Sequence, residues 1–98
     1  SVNESLWKSS LSFLSKYPDT EANLKEGFIS TEWITSNKNP NTRFRIIIYI
    51  LGPEMYDKNI RIVTDKENNV NGRWIKTRMS DSFNNNLKKI IITKARRL

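Results

Sequence analysis

Histidine and cysteine are both absent from the chain. Their absence removes the usual acid–base side chain, the thiolate nucleophile and the two commonest transition-metal ligands. Chemistry would fall to carboxylates, lysine, tyrosine and hydroxyls. Glu32 has no second acid at strand or helix spacing beside it, and Asp57, Asp65 and Asp81 fall where turns and caps are expected. Glu4, Glu21 and Glu26 have no evident partner, and the three glycines are too dispersed for a phosphate-cradling loop. Little of what an active site requires is present. The sequence therefore points to a non-catalytic protein, with no cofactor and no metal expected.

A binding pattern is better supplied. From Arg43 to Leu51, Phe44, Ile46, Ile48 and Ile50 alternate with Arg43, Arg45, Ile47 and Tyr49. On a strand, period-two alternation puts the two sets on opposite faces. If the even-numbered set is sealed under helices, the odd-numbered set forms an open sheet face, joined by Arg61. Depending on register, Trp74, Lys76 and Arg78 extend it. Aromatic, aliphatic and arginine side chains together make the mixture that interfaces favour. The competing reading is that Ile47 and Tyr49 are covered, by the Asp19–Gly27 segment or by further chain, leaving the arginines as solvated neighbours.

The elements that would position this face are legible. Residues 4–16 place Trp7, Leu11 and Leu14 at helical spacing behind an Asn3 cap, and Pro18 ends the run. Asp19 to Gly27 is polar and reads as a loop. Residues 28–35 alternate as a half-buried strand, with Ile29, Thr31 and Trp33 on one face. Asn37 to Asn41, around Pro40, reads as a turn before the central strand 43–51, which Gly52-Pro53 terminates. Asn59 to Thr64 is a third strand. Asn71-Gly72 is a tight-turn signal leading to a fourth over Arg73–Arg78. Ser80 caps a last helix whose stripe is Phe83, Leu87, Ile90, Ile91 and Ala95. The expected fold is one α+β domain over residues 1–98, a four-stranded antiparallel sheet with the N- and C-terminal helices packed on one face.

The net charge of +7 is uneven. Residues 1–42 hold four lysines against five acids, whereas residues 43–98 hold thirteen basic residues against five acids. That bias suits an anionic partner: nucleic acid, lipid headgroups or an acidic protein face. Against nucleic acid, the paired aromatic motifs of the common RNA-binding sheet are missing, and strands precede the basic last helix where a DNA reader would need a partner helix. Lys88, Lys89 and the Lys94–Arg97 cluster read as a solvated face. Trp7, Trp33 and Trp74 read as core or core-edge residues. No apolar run approaches the roughly 18–20 residues of a membrane span. The opening residue is Ser1, so the chain reads as trimmed and its lack of a signal segment carries no information about export.

Several clusters resemble a family of alphaproteobacterial proteins, domain of unknown function 3576. They are Val2-Asn3 with Leu6-Trp7, Leu11, Leu14 and Pro18; Gly27, Ile29, Thr31 and Glu32-Trp33; Asn41, Arg43-Phe44-Arg45 and Tyr49 to Gly52; Arg61 with Val63; Gly72 with Trp74; and Ile91, Ala95-Arg96 and Leu98. Glu26 departs from a second glycine usual in the family, Asp65-Lys66 replaces a more apolar strand end, and Asn68 to Asn71 lengthens a polar turn. The resemblance implies an exported protein, many members carrying a lipoprotein-type signal upstream, and hence a periplasmic, outer-membrane-anchored location. A looser similarity in element order, to the helix-grip domains of an outer-membrane assembly lipoprotein, implies a protein-binding or scaffolding role. The partner so implied is a cell-envelope protein, with an anionic membrane surface as a second class. The alternative is a basic single-stranded nucleic-acid-binding module.

Overall fold

The computed structural model describes all 98 residues. Helix α1 spans Glu4–Leu14 and α2 spans Asp81–Ala95. Between them run β1 (Glu21–Asn23), β2 (Phe28–Ser30), β3 (Ile34–Ser36), β4 (Asn39–Ile50), β5 (Ile60–Val70) and β6 (Arg73–Thr77), with a short 3-10 turn at Asp57–Asn59. Every pairing is antiparallel. The order across the sheet is β1-β2-β4-β5-β6, with β3 beside β2 on the same flank of β4.

β4 is the inner strand the alternation requires. Ile46, Ile48 and Ile50 are buried against Leu6 and Leu14 of α1 and Leu87, Ile91, Ile92 and Ala95 of α2, with Ile29, Ile60 and Ile62 completing the core. Each such side chain removed from water contributes roughly 1.5–3 kcal/mol, which explains why this stretch has the clearest pattern. Asn3 caps α1, its Oδ1 accepting from the Leu6 N–H at 2.9 Å. Ser80 stands at the N-cap of α2, but its hydroxyl meets Ser82 at 3.1 Å instead of capping a backbone amide. The helices pack at small residues: Ser9 and Ser10 are fully buried, and the Ser9 hydroxyl donates to the Ile91 carbonyl at 2.7 Å.

The sheet has six strands, not four. The polar Asp19–Gly27 segment is not all loop, because Glu21–Asn23 pairs with Phe28–Ser30 and adds an edge strand. The expected strand over 28–35 is two strands separated at Thr31. There the Thr31 amide donates to the Ile46 carbonyl at 2.9 Å, while its side-chain oxygen accepts from the Ile46 amide at 3.0 Å. With the side chain making a bond that backbone would otherwise make, Glu32 and Trp33 leave the ladder. Pairing resumes at Ile34 opposite Phe44, so side-chain parity reverses. Trp33 therefore faces away from Ile29, contrary to expectation.

β4 begins at Asn39, so only residues 37 and 38 turn. β5 runs on to Val70, well past the expected end at Thr64, and Asn68 to Val70 are strand rather than loop. Its polar second half is held on both sides, by β4 as far as Asn68 and by β6 from Lys66 to Val70. The β5–β6 hairpin turns at Asn71-Gly72, both at positive φ (54° and 84°), the conformation a two-residue hairpin of this kind needs.

Candidate binding face

The register places Arg43, Arg45, Ile47 and Tyr49 on the side of β4 opposite the helices. Directly across on β5 stand Glu67, Asp65, Val63 and Arg61 respectively. On the other flank, Phe28 of β2 is opposite Tyr49 and Ser30 is opposite Ile47. Trp74 and Lys76 of β6 lie beside Asn69 and Glu67 and join the same face. Arg78 lies just past the end of β6, which stops at Thr77. All five residues anticipated for the face (Arg43, Arg45, Ile47, Tyr49 and Arg61) thus share one surface. Arg61 is exposed and the other four half-buried.

The face divides into two zones. Toward the C-terminal end of β4, Phe28, Ile47, Tyr49 and Val63 form an apolar patch, with the Phe28 and Tyr49 rings 6.4 Å apart and tilted by 49°. The segment that would have covered this patch instead extends the sheet edge as β1, and its Leu24 lies beside Val2 and Trp7 of the N-terminal segment. Within residues 1–98 these apolar groups are half-buried and lie on the face of the sheet away from the helices.

Toward the N-terminal end of β4 the arginines are not free cations. Arg43 donates through Nε to Glu67 Oε1 at 2.8 Å, and both side chains are less than a quarter exposed (24% and 22%). Its guanidinium is stacked between two indoles, 4.3 Å from the Trp33 ring centre and 4.2 Å from that of Trp74. Arg45 donates to Asp65 Oδ2 at 2.9 Å and lies 4.8 Å from Trp33. A planar guanidinium suits this double role, a fork for a carboxylate and a flat face for aromatics. The zone is thus a fixed, nearly charge-balanced stack, while Arg61 and Lys76 keep the periphery basic.

Phe28, Trp33, Asp65 and Glu67 escaped the sequence reading. A signal for Phe28 existed, since alternation puts it opposite Ile29. A second lay in Arg43-x-Arg45 and Asp65-x-Glu67, two same-face pairs of opposite charge on adjacent strands. Trp33 had none, because its position depends on the parity change at Thr31. No group of three or more carboxylates is arranged to hold a metal ion, and Asp65 and Glu67 are committed to arginines. The chemistry this geometry offers is recognition through an apolar, aromatic surface with orienting polar groups.

Residues 1–98 match the model of a family described as Domain of unknown function (DUF3576). An uncharacterised protein of Rickettsia prowazekii (strain Madrid E) is 30% identical over 95 residues, covering 97% of this chain and 57% of that protein. The chain thus spans little more than half the length of that relative. No solved structure matches.

Proposed function

The chain belongs to the DUF3576 family, and we propose that it is a non-catalytic binding module that docks a protein partner through the open face of its sheet. The observation that carries this reading is the uncovered patch of Phe28, Ile47, Tyr49 and Val63 at the sheet centre. Apolar groups grouped on a rigid, water-facing surface have most to gain from a complementary surface. The Trp33–Arg43–Trp74 stack beside it is already held by Glu67, so an incoming partner meets ordered side chains and less conformational entropy is lost on docking. Following the family resemblance, the proposal assigns the protein to the cell envelope, as a periplasmic domain of a lipid-anchored protein that takes part in outer-membrane assembly or maintenance. Kinship with helix-grip domains belongs to the same proposal and is supported by two helices packing on one antiparallel sheet.

The alternative of a single-stranded nucleic-acid binder fares worse on the same face. Asp65 and Glu67 neutralise the two arginines that would meet phosphates, and both faces of the Arg43 guanidinium already engage indoles, so Trp33 and Trp74 have their inner faces occupied.

The test uses the full-length protein in gently solubilised envelope, sized under native conditions. Wild type is expected above its monomer mass, and Ile47→Asp and Tyr49→Asp should run as the free protein. Ile75→Asp, on exposed β6, should leave the complex intact. Circular dichroism and thermal melting of the 98-residue chain show whether each variant still folds. Folded Ile47→Asp and Tyr49→Asp variants that keep the wild-type complex would refute the proposal.

A further inference from the structure

The helix layer presents a second surface, on the side of the molecule away from the Tyr49 patch. Between α1 and α2 a shallow groove is lined by Phe13, Tyr17, Phe83 and Leu87 and runs to Ile90. There it meets a depression lined by Lys89, Thr93, Lys94, Arg97 and Leu98. Ile90 and Leu98 are 54% and 64% exposed. Lys16 lies on the α1 rim, its ammonium 4.0 Å above the Phe13 ring.

The charge on this surface is uncompensated. No acidic side chain lines the groove or the depression, and the sequence from Ser82 to Leu98 contains no Asp or Glu. The four ion pairs of the molecule involve Lys8, Arg43, Arg45 and Arg96, so Lys16, Lys89, Lys94 and Arg97 have no anionic partner. Lys94 donates only to the Ser12 hydroxyl, at 2.6 Å. Arg43 and Arg45 of β4 differ in this respect, since each is paired with a carboxylate.

Cations interleaved with exposed aliphatic groups along one helix match a bilayer interface, where aliphatic tips enter the headgroup layer and lysine and arginine stems reach up to phosphates. Nucleic acid would use the cations but give Ile90 and Leu98 nothing to bury against. We propose that the α1–α2 layer docks on an anionic phospholipid bilayer. Ile90 and Leu98 enter the headgroup region, and Lys16, Lys89, Lys94 and Arg97 contact the phosphates. This proposal is independent of the protein-docking face. If both hold, membrane contact through the helices leaves the sheet directed toward the aqueous side.

Co-sedimentation of the 98-residue chain with sucrose-loaded vesicles tests it, comparing pure phosphatidylcholine with a phosphatidylcholine–phosphatidylglycerol mixture. Binding is expected to the mixture only and to weaken with salt. The double variant Lys89→Glu/Arg97→Glu should lose at least about tenfold in partitioning, given the contribution of each cation close to a charged membrane. The double variant Arg73→Glu/Lys76→Glu changes net charge equally on β6 and should change partitioning far less. Ile90→Ser, with charge unchanged, should weaken binding severalfold. Equal binding to both vesicle types, or equal losses from the two charge reversals, would overturn the proposal. So would an Ile90→Ser variant that binds like wild type, and oligonucleotide binding that depends on Lys89 and Arg97 but ignores Ile90 would reassign the patch to nucleic acid.

Discussion

Arg43 shows how a charged residue becomes part of the framework. Two indoles and a carboxylate enclose it, so through side chains its guanidinium ties the segment just before β3 to β4, β5 and β6. Arg43→Lys keeps the charge but loses both the planar stacking and the fork geometry. It is expected to lower the unfolding free energy by about 1–2 kcal/mol, measured by urea denaturation. A double-mutant cycle of Arg43→Lys with Trp74→Leu should show clear coupling; strictly additive losses would mean that the stack contributes nothing. At the opposite edge of the scale, Ser9 and Ser10 make an internal control. Ser10 Oγ is buried with no hydrogen-bond partner, whereas Ser9 donates to Ile91. Ser10→Ala is expected to be neutral or stabilising, while Ser9→Ala should cost about 1 kcal/mol. Tyr17 supplies the pH-dependent term. Burial beside Phe44, its ring 6.5 Å away, raises its hydroxyl above the ordinary value of 10.0. A raised folded-state value means that the stabilisation is complete below the unfolded value and is lost as pH rises through the folded one. Stability should therefore fall on the alkaline side of pH 10, and Tyr17→Phe should reduce that decline.

Among the elements, the connection from β1 to β2 depends most on a single position. Gly27 has φ of +74°, and a Cβ there would stand 2.7 Å from the Ile50 carbonyl oxygen. The Gly27 carbonyl itself accepts from the Ile50 amide at 2.8 Å, so neither partner has room to withdraw. Gly27→Ala is expected to cost more than about 2 kcal/mol, from positive φ and the close approach combined. Gly72 shares a positive φ but has open space where a Cβ would go, so Gly72→Ala should cost only about 1 kcal/mol. Thermal or urea unfolding of the two variants separates these cases, and equal losses would contradict the packing argument. The elements also show what was legible in the sequence and what was not. β4 was legible because helices seal its even-numbered side chains, which made alternation visible. The Asn71-Gly72 turn was legible because its backbone demands those residue types. The second half of β5 was hidden, because Asp65 and Glu67 are satisfied by arginines twenty or more positions away and carry no local apolar signal. β1 was hidden for a related reason: a three-residue edge strand with only Asn23 half-buried leaves no periodicity to read.

At the scale of the whole molecule the shape is elongated, 46 × 25 × 21 Å with a radius of gyration of 14.3 Å, against about 12.6 Å for a compact chain of this length. The cause is an overhang. Asn84, in the first turn of α2, meets Thr64 through a hydrogen bond of 2.8 Å, while farther along the sheet Ile75 and Val70 are exposed. Native-state hydrogen exchange should reflect this division. Amides of Ile60 to Val63 are expected to exchange only through global unfolding, and those of Asn68 to Val70 and β6 through local opening. The polarity of the molecule follows the same layering: on one side a helix layer whose Lys16, Lys89, Lys94 and Arg97 are unpaired, and on the other a sheet face where Arg43 and Arg45 are balanced by Glu67 and Asp65 beside an apolar patch. That separation underlies the assignment of the sheet to a protein partner. The most direct test of it places a photo-crosslinking phenylalanine analogue at position 49 of the full-length protein in its native cell, with position 75 as a folded, exposed control. One discrete adduct at position 49, absent at position 75 and abolished by Ile47→Asp, is the expected result; no adduct at position 49, or the same adducts at both positions, would contradict the account.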